Sequence, residues 1–351
     1  MKTLLRLLLK TQHQQNRSHP TQTEKGMTLV ELLVGAIMAF LIITPMLAFV
    51  VDMLNTDRRE QVKSNTEQDI QAAVDFIAQD LSQAIYIYDN IDINGGTRDG
   101  VTVTGIKSQL PDATDTTKTP ILVFWKRQQI KDAISVNTTT PVLPINCNKN
   151  NAKDCNDTYV RSLVAYYQIK ETDPKSIWCQ PSGGTCPTRI ARYEIKEGIR
   201  KPGAPIATPY YGEGEAEKGQ QVSQGFNPDF DLSKPTENVT KGAAFPPEQV
   251  LVNYLDHNTA NVPQPPDCKI ALGVTDPAGT TIKSEDLLIT DKLTHSFYAC
   301  VDTSDNKNLA RVTIRGNSLR RLQTDAKYDA SKSAFFPTAS VQVQGRGARG
   351  N

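Results

Sequence analysis

The sequence predicts an α+β protein in which a long N-terminal helix packs on an antiparallel β-sheet. Three observations carry this. Met27 to Val51 form an apolar run with one charge, Glu31. From Val62 to Tyr88, apolar residues recur every three or four positions, the period of a helix with one buried face. Beyond Gly100, short alternating or wholly apolar runs lie between turn-rich stretches, as antiparallel strands do.

Residues 1–26 read as a leader to be set apart from the fold. Its Met1–Lys10 stretch looks amphipathic but is far too short to span a bilayer. The leader holds five basic residues against Glu24, so its removal takes the formal net charge from +1 to −3. An acidic remainder argues against a general nucleic-acid binder, which needs a dominant basic surface.

The run 27–51 is long enough, at about 1.5 Å per residue, to cross a membrane. Basic residues before it and Asp52 and Asp57 after it place the N-terminus in the cytoplasm, giving a single-pass inner-membrane protein with everything from Asp52 exported. Two irregularities interrupt the run, Gly35 and Pro45, and a helix-interior proline removes one backbone hydrogen bond. Glu31 needs a reason, because a carboxylate near hydrocarbon must be paired, snorkelled or protonated.

Residues 52–94 are expected to continue the helix and close in a turn. Val62, Ile70, Val74, Ile77, Leu81, Ile85 and Tyr88 mark its apolar face, and no proline or glycine falls between Met46 and Asn94. The membrane half and the amphipathic half therefore read as one rod, the second half packed on the sheet. The turn invites a calcium reading, with Asn90, Asp92, Asn94 and Gly95 at the first, third, fifth and sixth places of an EF-hand-like loop. Val101 stands where the loop needs glutamate, so an Asn/Asp/Gly turn without metal is preferred.

Residues 95–345 read as a β-rich domain. Strands are expected at 100–106, 120–127, 159–170, 188–196, 249–256, 296–302, 309–316 and 339–345. The pair 159–170 and 188–196 reads as a long-looped hairpin, clipped at its tip by Cys179 and Cys186. Six cysteines allow 15 pairings. The sequential set is preferred, Cys147 with Cys155, Cys179 with Cys186 and Cys268 with Cys300, because the first two would clip short loops. Metal binding competes poorly, since there is no CxxC, and His257 and His295 have no ligand-like spacing.

Residues 197–249 lose periodicity and read as a flexible surface insertion, with Tyr210, Tyr211 and Phe226 as a possible docking patch. The tail 346–351 reads as flexible. Arg311, Arg315, Arg320 and Arg321 form the one basic cluster, and Arg311 and Arg315 share a strand face. They are candidates for binding an anionic glycan or DNA, the competing reading being a solvated face. No nucleotide loop, nucleophile elbow or zinc pair occurs, so neither catalysis nor a cofactor is expected.

Lys25-Gly26-Met27-Thr28-Leu29-Val30-Glu31-Leu32-Leu33 resembles the processing motif of type IV pilins and type II secretion pseudopilins. The resemblance implies cleavage by a membrane prepilin peptidase between Gly26 and Met27, N-methylation of Met27, and Glu31 as fifth residue of the mature chain. There it would neutralise a neighbouring subunit's new amino terminus during assembly. Met27 departs from the phenylalanine usual in the family. The resemblance is strong over 25–88 and implies the pilin-like fold. The strands at 159–170 and 188–196 extend it to larger minor pseudopilins of the J or W type, and the segment from Leu33 to Asp89 is similar to cyanobacterial pseudopilins of hormogonium polysaccharide secretion. The implied partners are prepilin peptidase, other pilins or pseudopilins, an inner-membrane assembly platform and membrane lipid. The expected role is a structural subunit of a pilus or pseudopilus supporting export or motility. The alternative is a pilin-anchored module that binds glycan or DNA.

Overall fold

The structure is a computed structural model and describes residues 27–98, 100–137, 139–150, 155–205, 209–242, 244–276, 281–304 and 307–346. The chain divides between Asp57 and Arg58 into two compact units.

The described part of the first unit is the beginning of helix α1 (Leu29–Leu81). Thr28 caps it, its Oγ1 accepting from the backbone N–H of Glu31 at 3.3 Å. Its large apolar side chains are exposed, Leu29 at 84% and Phe40 at 71%. By length and composition the helix is able to cross a membrane. Pro45 lies inside it, and Thr44 turns its hydroxyl back to the Phe40 carbonyl at 2.8 Å.

In the second unit α1 becomes amphipathic. Ile70, Ala73, Val74, Ile77 and Leu81 are buried on one face at three- and four-residue steps. The helix stops at Leu81, short of the Tyr88 that periodicity suggests, and strand β1 (Ala84–Ile87) follows. Ile85 and Tyr88 fit the helical spacing, but the run Ala84-Ile85-Tyr86-Ile87 is β-branched and aromatic, and strand pairing with β4 (Lys118–Ser135) wins. The turn becomes helix α2 (Asn90–Asn94) with Asp89 as its cap, and the expected strand at 100–106 is reduced to a small hairpin, β2 (Gly96–Arg98) and β3 (Val101–Val103).

The β-structure forms two principal antiparallel sheets. The first has the order β1-β4-β5-β6-β7, where β5 is Cys155–Lys170, β6 is Thr188–Lys196 and β7 is Gln249–Leu255. The second has the order β11-β10-β9-β8, with β8 Leu288–Thr290, β9 Phe297–Asp302, β10 Leu309–Arg315 and β11 Thr338–Gln344. Short helices α3 (Pro144–Asn150), α4 (Cys268–Leu272) and α5 (Ser284–Leu287) lie in the connections. One hydrophobic core draws on α1 and on both sheets. Close approach of α1 depends on Gly316, where an added Cβ would meet Thr66 Cγ2 at 2.8 Å.

The described part of 197–249 is irregular and sends aromatic side chains into the core. Phe230 stacks on Trp125 with ring centroids 4.1 Å apart, and Phe226 meets the same indole edge-on. Trp125 donates to the Tyr88 hydroxyl at 2.9 Å, which donates to the Pro235 carbonyl at 2.6 Å. Tyr211 and Phe226 are buried and Tyr210 is half-buried, so these three make no exposed docking patch. Their burial supplies the apolar surface that holds an aperiodic segment in place.

Candidate functional site

Sequence reasoning points first to the start of α1. Gly26 lies outside the described residues; Met27 and Glu31 are exposed. With Thr28 as cap, Glu31 occupies the third helical position, where a carboxylate meets the unpaired N–H groups and positive end of the helix. Thr28-Leu29-Val30-Glu31 has the spacing of a capping box, a local reason for glutamate that the sequence carried in plain view.

The end of α1 holds a site that sequence reasoning missed. Asp80 stands in the apolar stripe, one turn after Ile77, and its carboxylate is gripped by three strands of the first sheet. Lys126 on β4 approaches Oδ1 at 3.0 Å, Tyr166 on β5 donates to Oδ2 at 2.7 Å, and Arg192 on β6 donates to Oδ2 at 2.7 Å. Glu194 completes the cluster, 2.9 Å from Arg192 and 3.0 Å from Lys126. Lys196 adds a third base at the rim, 3.7 Å from Glu194. Burial alone would raise the Asp80 carboxyl, but Lys126 and Arg192 outweigh it and hold it below the usual range. Glu194 behaves likewise, burial opposed by Lys126, Arg192 and Lys196. Burial and the Asp80 charge push the Tyr166 phenol upward, so it remains a donor. The signal in the sequence was an aspartate at a position where the helical period calls for an apolar residue.

The calcium-like loop is organised by a cation of the protein itself. Arg98 pairs with Asp89 and reaches Asp92 at 3.1 Å, while Tyr86 donates to Asp92. Burial and the neighbouring Asp92 push the Asp89 carboxyl up, against the pull of Arg98. Asn90 donates to the Glu285 carbonyl at 3.1 Å and accepts from Asn94 at 2.7 Å. Among the described residues, no three His, Cys, Asp or Glu side chains are arranged to hold a metal ion.

The four arginines of the predicted cluster have different surroundings. Arg311 and Arg315 do lie on the face of β10 opposite the core-facing Ala310, Val312 and Ile314, but that face is covered. Arg315 is 4% exposed, pairs with Asp256 at 3.1 Å and donates to the Thr294 carbonyl at 2.7 Å. Arg311 is half-buried and turned toward the Ala271 carbonyl at 3.5 Å. Arg320 is fully buried, donating to the carbonyls of Thr185, Pro181 and Gly183 at 2.9, 2.9 and 3.1 Å. Arg321 pairs with Asp69. Each of the four guanidinium groups thus has a partner within the protein, that of Arg311 being the most distant.

Disulfides join Cys147 to Cys155, Cys179 to Cys186 and Cys268 to Cys300, which is the sequential set. The second closes the tip of the β5–β6 hairpin, and the third ties α4 to β9. His257 and His295 take no part in a metal cluster. No family model, curated protein or solved structure matches the chain.

Proposed function

We propose that this chain is a membrane-anchored structural subunit of a pilin-like filament or pseudopilus, processed between Gly26 and Met27 and supporting export or motility. The observation that carries the reading is the start of α1. An apolar surface from Leu29 to Leu54 is exposed along the helix, with Glu31 in its Thr28-capped first turn, shortly after the Gly26-Met27 junction. Apolar surface costs roughly 25 cal/mol per Å² in water, so these side chains call for lipid or other apolar helices as their environment. Prepilin peptidase, other pilins and an inner-membrane assembly platform are the partners this role requires. Polysaccharide is a candidate cargo on the resemblance alone.

Two measurements test the proposal. Mass spectrometry of the wild-type protein should find an N-methylated Met27 at the amino terminus; an intact Met1 would overturn the processing step. Incorporation into filaments should fall for both Glu31→Ala and Glu31→Gln, because the role assigned to Glu31 needs its charge. A Gln variant that assembles normally would reduce Glu31 to a helix cap.

A further inference from the structure

We infer that the Cys179–Cys186 disulfide is a redox-active site, opened by a dithiol that attacks Cys186 while Cys179 leaves as a thiolate beside Arg320. The three disulfides do not share one environment. Arg320 Nη2 lies 3.8 Å from Cys179 Sγ. Among the described residues, no cation stands within hydrogen-bond reach of a sulfur in the other two.

Arg320 is a buried cation without a carboxylate. It is fully buried, and its other guanidinium contacts are the carbonyls of Thr185, Pro181 and Gly183, which offer dipoles and no charge. The titratable groups that act on it or feel its charge are Tyr254 and His257, neither of which is an anion near neutral pH. The carboxylates of Asp256 and Asp325 act on His257, and Asp256 is already paired with Arg315. A guanidinium keeps its proton, and a charge withdrawn from water without a counter-ion is costly. The intact disulfide is neutral and leaves that cost standing. A thiolate at Cys179 would remove it.

Exposure gives the exchange a direction. In thiol–disulfide exchange a thiolate attacks one sulfur, and the other departs with the electron pair of the broken bond, faster as its pKa falls. Cys186 is 6% exposed and follows the exposed loop residues 182–185, whereas Cys179 is fully buried. The incoming sulfur therefore bonds to Cys186, and Cys179 departs against Arg320, the kind of neighbour that lowers a thiol's pKa. The second thiol of the reductant then attacks the reductant's own sulfur in the mixed disulfide, and Cys186 leaves and takes a proton. The reductant ends as a disulfide, the protein as one thiolate and one thiol, and one proton passes to water.

The protein carries its own control. Cys147 and Cys155 are 8 residues apart and Cys179 and Cys186 are 7 apart, so loop closure contributes nearly equally to the two. A difference between them reports on surroundings. Because Arg320 sits on the turn Ser318–Arg321 that follows β10, opening the clip at the β5–β6 tip also changes the contacts of a segment beyond the second sheet.

The test equilibrates the full-length protein in lipid nanodiscs with mixtures of reduced and oxidised dithiothreitol. Acid traps each mixture, N-ethylmaleimide labels the free thiols of the unfolded chains, and mass spectrometry reads every cysteine. At pH 7, Cys179–Cys186 should be half-reduced at a reduced-to-oxidised ratio at least tenfold lower than Cys147–Cys155 requires. Since its opening releases a proton, that ratio should fall about tenfold per pH unit from pH 6 to pH 8, while the ratios of the other two disulfides stay level. Arg320→Lys should keep this pH dependence, because the charge remains. Arg320→Met should lose it and need at least tenfold more reductant; if that variant does not fold, the two wild-type measurements decide. The inference is overturned if Cys179–Cys186 needs as high a ratio as Cys147–Cys155, if its ratio is indifferent to pH, or if folded Arg320→Met behaves as wild type.

Discussion

The two parts of helix α1 differ in everything except backbone conformation. Up to Asp57, apolar side chains occur all round the helix and are exposed; from Arg58 Ile70, Ala73, Val74, Ile77 and Leu81 line one buried face, and Phe76 is exposed. The second is fixed twice, by Ile70, Val74, Ile77 and Leu81 in the core and by Asp80 in its cluster of charges. Helix formation alone therefore says little about stability; what the face meets decides it.

The sharpest way to break this contrast is Asp80→Ala, which leaves Lys126 and Arg192 buried with their balance lost. Denaturant titration should register a loss of about 3–5 kcal/mol. Ile77→Ala, a truncation in a fully buried position, should cost about 2–5 kcal/mol, whereas exposed Ile43→Ala should leave unfolding of the second unit within about 0.5 kcal/mol of wild type. A large effect of Ile43→Ala there would erase the distinction.

Acid should act on the charge cluster of the second part. Asp80 and Glu194 titrate below the ordinary carboxylate value in the folded chain, so on acidification the unfolded chain binds protons first. The stability they contribute is complete above about pH 5 and is lost as pH falls through their folded values. Unfolding free energy measured down the acid range should decline more shallowly in Asp80→Asn. The smallest effect belongs to the start of the helix. Thr28→Ala removes the cap and should destabilise the first turn by about 1 kcal/mol, read as faster amide exchange at Glu31 without a change in the second unit.

Local pattern made much of this fold legible. The strand at 188–196 falls where alternation places it, and β9, β10 and β11 lie within a residue of their expected limits. Misreadings arose where distant residues decide. Leu81, Ile85 and Tyr88 fit a helix by spacing, and only the pairing of β1 with β4 ends it. A division into two sheets is a matter of partner choice, which single strands do not encode. Phe226 and Phe230 occupy the core without periodicity, because Trp125, about a hundred residues away, supplies their packing surface. Alternation placed Arg311 and Arg315 on one face correctly, but whether that face is wet depends on Asp256 and the chain that follows it. The glutamate at position 31 and its threonine three residues earlier were readable as a cap; their use in assembly is a matter for filaments.

The hairpin loop clipped by Cys179 and Cys186 looks like a convenient place for a tag or a graft, being short, exposed in parts and rich in glycine and proline. Arg320 forbids that use. Its guanidinium has three loop carbonyls for partners, 135 to 139 residues away in sequence, and no described carboxylate pairs with it. Lengthening or rerouting residues 181–185 would strand a cation in the interior. The loop and the segment after β10 must therefore change together, and any redesign of one has to begin by rehousing the arginine of the other.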